Sequence, residues 1–189
     1  MTSGLRKKVC LLVLICYTLI PYNSFAQDAT LTNIIVTNTR DDLLVYITVE
    51  GAFREKMKTA ILSGVPTTFS FFIQLYRVRN FWPDKEIEEI EITHTIKYNN
   101  LKKEFMITRS WENNQPIVTK SFVEARKLMS EIDSLKTVPL SRLEKGSQYQ
   151  IKAKAQLSKL TLPFYLHYVL FFVSLWDFET DWYTIEFIY

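Results

Sequence analysis

The sequence predicts an α+β protein, a mostly antiparallel sheet or β-sandwich of about seven strands with two or three packed helices. Three observations predict it. Several runs alternate apolar and polar residues with the period of two that a half-buried strand requires, most cleanly at residues 90–98 and 149–157. Turn formers such as Asn99-Asn100 join neighbouring runs, so strands pair locally. Helical periodicity is confined to isolated stretches that do not alternate regularly with strands, which argues against a parallel doubly wound sheet.

Residues 1–26 have the three parts of a secretory leader. Arg6, Lys7 and Lys8 supply the positive charge, and residues 9–20 are an uncharged, mostly apolar run. That run is shorter than the about 20 residues needed to span a bilayer core. Pro21 breaks it, and Ser24-Phe25-Ala26 places small residues where a signal peptidase reads, so cleavage is expected after Ala26. The expectation is an exported, periplasmic protein with one mature domain at residues 27–189; the alternative is an N-terminal inner-membrane anchor that is kept. The chain carries 23 Lys+Arg and 20 Asp+Glu, and three of the basic residues belong to the leader. The mature part therefore has no net charge and no global electrostatic reason to bind nucleic acid. Cys10 and Cys16 both precede Ala26. A cysteine-free mature chain excludes disulfides, thiolate nucleophiles and zinc–thiolate sites together.

Taken in order, residues 31–37 and 43–50 read as a strand pair around the turn formers Asn38 to Asp42. Residues 54–63 read as a helix with Met57, Ala60 and Ile61 on one stripe, stopped by Gly64 and Pro66. Residues 67–79 read as a long strand. Phe69, Phe71, Ile73 and Leu75 share one face, Arg77 and Arg79 continue it, and the opposite face is not fully polar, which predicts partial cover on both sides. After the Pro83-Asp84 turn, Ile90, Ile92, His94, Ile96 and Tyr98 face inward, and Phe105 and Ile107 return in a hairpin. Residues 121–133 read as the best helix, with Ser121 and Glu124 as a capping box and Phe122, Ala125, Leu128, Met129 and Ile132 as its stripe. A helical turn at residues 140–144, a half-exposed strand at 149–157, a buried helix within 160–176 and a final strand at 182–189 complete the reading.

The densest polar cluster is Arg77, Arg79, Trp82 and Asp84. Two arginines on one strand face can offer guanidinium forks to a carboxylate or phosphate, and Trp82 can stack on a ligand; the plainer reading pairs the arginines with Asp84 or with the glutamates that follow. Glu86, Glu88, Glu89 and Glu91 interleave with isoleucines rather than with the glycine and asparagine of a calcium loop, so they read as a solvated face. His94 and His167 stand in no short metal-ligand pattern, and a hydrogen-bonded, partly buried His94 is expected. No nucleophile elbow, Walker loop or dinucleotide fingerprint occurs, and no cofactor is expected. Trp176 and Trp182 flank a short acidic turn that reads either as a docked terminal strand or as a partner-binding lip.

Gly64-x-Pro66-x-x-Phe69-x-x-x-Ile73-x-x-x-Arg77-x-Arg79-x-x-Trp82-x-Asp84 carries a resemblance in its order and spacing. Tyr98-x-x-Leu101 with Phe105 and Ile107, Pro139-Leu140, the strand from Tyr149, Leu162-Pro163 and Trp182-Tyr183 extend it over the mature chain. The pattern is similar to an uncharacterised family of exported proteobacterial proteins, domain of unknown function 4390. The resemblance implies export and brings no catalytic residues. Genes of that family often stand near a membrane sensor kinase gene, which implies an envelope-signalling partner. The expected function is a non-enzymatic protein-interaction module; a binding module for a small acidic or acyl ligand, with Arg77 and Arg79 at its acidic end and Phe69, Phe71 and Ile73 along its tail, is the alternative, and an enzyme of unrecognised class the third reading.

Overall fold

The computed structural model describes residues 29–157 and 179–189. The leader with its cysteines and Ala26, and the expected helix within residues 160–176 with His167 and Trp176, lie outside the described residues. Strands β1 (Thr30–Asn38) and β2 (Asp42–Glu50) form the expected antiparallel hairpin. Thr39 organises its turn: the Thr39 hydroxyl accepts from the Asp42 N–H at 2.9 Å, and the Thr39 N–H donates to the Asp42 carbonyl at 2.8 Å. Helix α1 (Glu55–Leu62) buries Met57, Ala60 and Ile61 as its stripe requires. It stops at Gly64, whose φ of +87° an L side chain rarely adopts.

Next come β3 (Thr67–Arg77), β4 (Lys85–Asn99), β5 (Glu104–Arg109), β6 (Ile117–Thr119), α2 (Phe122–Ser130), β7 (Glu131–Pro139), β8 (Gln148–Leu157) and β9 (Tyr183–Ile188). The described strands make two antiparallel sheets, a smaller one in the order β1-β2-β7 and a larger one in the order β6-β5-β4-β3-β8-β9. The α+β class holds, with two antiparallel sheets and two α-helices among the described residues. The inner face of the larger sheet carries Phe69, Phe71, Ile73 and Leu75 of β3, Ile92 and Ile96 of β4, Ile107 of β5, and Tyr149, Ile151, Ala153 and Ala155 of β8, all buried. The smaller sheet and both helices complete one continuous core with that face, β1 lying by β8 and β7 by β4.

Nine strands rather than about seven are described, because β6 and β7 escape the alternation rule. β6 has only three residues. In β7 Ser134 adopts φ +59°, and the register against β2 shifts twice, so that Ile132, Leu135 and Val138 all reach the core although they are three apart. Apolar residues three apart imitate a helix. The helix expected through Asp133 instead ends at Ser130, and Ile132 sits opposite Ile47 in the sheet. The capping box is also relayed rather than direct. The Ser121 hydroxyl accepts from the Glu124 N–H at 3.3 Å, while Thr119 Oγ1 accepts from the Ser121 N–H at 3.1 Å and donates to the Glu124 carboxylate at 2.5 Å. β4 begins at Lys85, earlier than the alternation shows, and β3 ends at Arg77, so Arg79 belongs to the loop that follows and not to the strand face.

Candidate functional site

Residues 78–84 join the two long strands β3 and β4 at one end of the larger sheet. The Val78 N–H donates to the Gln148 carbonyl at 2.9 Å, which carries the β3–β8 ladder one residue past the strand. Asp84 closes the loop: one carboxylate oxygen accepts from the Arg79 N–H at 3.2 Å, the other from the Gln150 side-chain amide at 2.6 Å. Gln150 is buried, so this amide depends on Asp84 for its partner. Pro83 removes one backbone freedom beside that anchor. Between these fixed ends stand two aromatic residues turned to solvent, Phe81 at 93% exposure and Trp82 at 75%.

The two arginines separate. Arg77 ends its strand half-buried and forms an ion pair with Glu144, a residue whose N–H donates to the Tyr149 hydroxyl at 2.8 Å. Arg79 is exposed, and its guanidinium makes no ion pair among the described residues. Neither arginine's side chain pairs with Asp84 or the following glutamates. Two of those glutamates instead take partners along the outer sheet face. Glu89 accepts from Gln74 at 2.8 Å and Glu86 from the Tyr76 hydroxyl at 3.3 Å on that face, whereas Glu88, opposite Leu75 on the inner face, pairs with Arg142, which also donates to the Ile87 carbonyl at 2.6 Å. Desolvation, and then the Glu86 charge, push the Tyr76 phenol above its ordinary value. Phe69, Phe71 and Ile73 lie in the packed interior, so the expected tail site and the arginines do not converge on one cavity.

His94 is fully buried and both its ring nitrogens are engaged, Nδ1 with the Met129 carbonyl at 3.0 Å and Nε2 with the Trp111 indole N–H at 2.9 Å. Its expected role as a hydrogen-bonded interior histidine holds, and burial is complete rather than partial. No group of three or more metal-ligating side chains gathers among the described residues.

Trp182 stands at the other end of the sheet. Thr180 pins its segment to β8, accepting from the Ala155 N–H at 3.0 Å and donating its own N–H to the Ala155 carbonyl at 2.9 Å. The Trp182 ring is partly exposed, with the Lys154 ammonium 5.6 Å from its centroid and Lys154 also paired with Glu179. It borders a cleft of about 410 Å³ shared with Ala29, Thr30 and Leu31. Along β8 the Trp82 loop adjoins Gln148, whereas Trp182 lies beyond Ala153. At about 3.3 Å per residue the two aromatic surfaces are roughly 20 Å apart.

Gln150 lies on the polar face of β8, and alternation marks that face but not the neighbour reached across the strands. No local pattern marks a cleft of about 960 Å³ beside β2 and α2, whose lining, including Phe53, Val123 and Arg126, comes from two distant segments, residues 48–55 and 123–131. Asp84→Ala is expected to cost about 1–3 kcal/mol by stranding the buried Gln150 amide, and Asp84→Asn less, as an acceptor is kept. Urea unfolding of the two variants checks the order.

A protein-family model described as a domain of unknown function, DUF4390, matches residues 26–186. No curated protein and no solved structure matches the chain.

Proposed function

The chain belongs to the DUF4390 family, and from that premise we propose that it is an exported envelope protein that binds another protein rather than catalysing a reaction. The observation that carries this reading is the Phe81-Trp82 pair. The two rings stand almost fully in water on a loop fixed at both ends by backbone and Asp84 bonds. A rigid loop loses little entropy on docking, and aromatic side chains of this size are common anchors of protein interfaces. Arg79 adds an exposed cation beside them. A protein partner is favoured over a small acidic ligand because Arg77 is committed to Glu144 and the apolar residues that would hold a tail are core. The proposed compartment rests on the leader-like residues 1–26, with the retained anchor as its alternative.

Two measurements test the proposal. Mass spectrometry of the protein from its native envelope should find a chain beginning at Gln27; an intact leader would mean a retained anchor. A photo-crosslinking residue at position 81 should trap a partner in the envelope. The Phe81→Ala/Trp82→Ala double variant should lose that partner, assayed with the crosslinker at position 79, while its unfolding free energy moves by less than about 1 kcal/mol, as exposed side chains away from the core allow. Undiminished capture by the double variant would refute the loop as the docking surface.

A further inference from the structure

Among the described residues, four strands form the outer edges of the two sheets: β1 and β7 in the smaller, β6 and β9 in the larger. Three of them carry features that discourage a further strand. Asn33 at φ +50° interrupts β1 with a register shift, Ser134 does the same in β7, which also ends in Pro139, and β6 is three residues long. Among the described residues, β9 has no such protection. Its six residues keep regular register with β8, include no proline or lysine, and carry a single charge, Glu186. The Tyr189 N–H and carbonyl are spent toward Ser147 and Gly146 on the β8 side. Backbone polarity alternates along a strand, so the N–H and carbonyl groups of Thr184, Glu186 and Ile188 point to the open edge.

We propose that this edge pairs with the same edge of a second copy, antiparallel about a two-fold axis through Ile185, joining two six-stranded sheets. A two-fold axis perpendicular to a sheet keeps each face on its own side, so only residues of like parity can meet. Centred on Ile185, Trp182 meets Ile188 of the second copy, Tyr183 meets Phe187, and Thr184 meets Glu186. The exposed apolar residues on the outer face at this edge, Trp182 and Ile188 (77% exposed), then cover each other, and the aromatic residues of the inner face form cross-strand pairs. Glu186 of the second copy faces neutral Thr184, with Lys152 next in the same row, since Lys152 registers with Thr184. Centred on Glu186, the two carboxylates would oppose each other and Ile188 would face Thr184. Centred on Thr184, Trp182 would face Glu186. Charge and apolar complementarity together select one register and, with it, a second copy as the occupant.

The test uses the full chain. Sedimentation velocity should show a concentration-dependent dimer. Thr184→Pro removes an N–H that points away from β8 and should weaken the dimer at least tenfold while leaving the thermal melt at low concentration unchanged; Ile188→Lys, at an exposed site, is the second variant should the proline disturb folding. Register is read by oxidation in a Cys10→Ser/Cys16→Ser background. Ile185→Cys lies on the axis at a non-hydrogen-bonded pair, with Cα atoms about 4.5 Å apart, within disulfide reach, and should give a covalent dimer. Glu186→Cys should not. A chain that stays monomeric through high micromolar concentration, a dimer undisturbed by both Thr184→Pro and Ile188→Lys, or a covalent dimer from Glu186→Cys in place of Ile185→Cys, overturns the proposal.

Discussion

Phe71→Ala is expected to cost about 3–5 kcal/mol, the largest loss from any single substitution argued for this chain. Phe71 has no exposed surface, and its strand is the middle of the larger sheet, paired on one side to β4 and on the other to β8. Its neighbours in register are Ile92 and Ala155, and its ring lies 4.8 Å from that of His94. A cavity opened there is walled by two ladders that cannot move inward without breaking backbone hydrogen bonds, so little of the lost contact is recovered. Set against a typical total stability of about 5–15 kcal/mol, one such change removes a large share. Phe72→Ala, one residue along on the half-buried outer face, is the internal control and should cost clearly less. Urea midpoints with an unchanged slope decide the matter; equal losses for the two positions would mean that the sheet is not covered on the face assigned here.

The contrast between Phe71 and Phe72 also marks what can be read without coordinates. Where one face is buried and the strand is regular, alternation alone identifies the inward residues, as it does for Ile92, His94 and Ile96, and for Tyr149 to Leu157. Two effects hide the rest. A bulge converts period two into period three, and so Ile132, Leu135 and Val138 read as helix while Ser134 turns them into a strand. Partner choice across a sheet is the other. Nothing local to Arg77 shows that it pairs with Glu144, 67 positions away, or that Gln150 reaches Asp84. Of the candidate site, the fixed turn with Trp82 was legible from Pro83-Asp84 because turn chemistry is local. The separation of Arg77 from Arg79 was not, because it depends on where β3 stops, and that is set by its neighbours β4 and β8.

Acid is expected to weaken the fold through His94. In the native protein Nδ1 donates to the Met129 carbonyl and Nε2 accepts from the Trp111 indole, so the ring is held as one neutral tautomer. Protonation would place a hydrogen on Nε2, against the Trp111 N–H, inside the core. Desolvation is the main cause that lowers the His94 pKa to about 4; the Met129 hydrogen bond works against it, and the Arg109 charge adds to the lowering. Arg109 is itself held by Glu112 at 2.7–2.8 Å and stacked over Trp111, so that cation stays close to the ring. In the unfolded chain the imidazole has its ordinary value of 6.5. Between these two values the unfolded chain takes up a proton that the folded one refuses. The stabilising contribution is therefore complete above about pH 6.5 and falls away as pH drops toward 4. Its full size is on the order of 3 kcal/mol. His94→Gln, which keeps a donor and an acceptor in place, should cost about 1–3 kcal/mol near pH 7, because the amide cannot match both partners. It should also remove this part of the pH slope. The difference between the two proteins' stability–pH curves from 7 down to 4.5 isolates His94. Two parallel curves would mean that the buried ring takes its proton as easily in the folded chain as in the unfolded one, and the neutral, doubly bonded histidine would have to be abandoned.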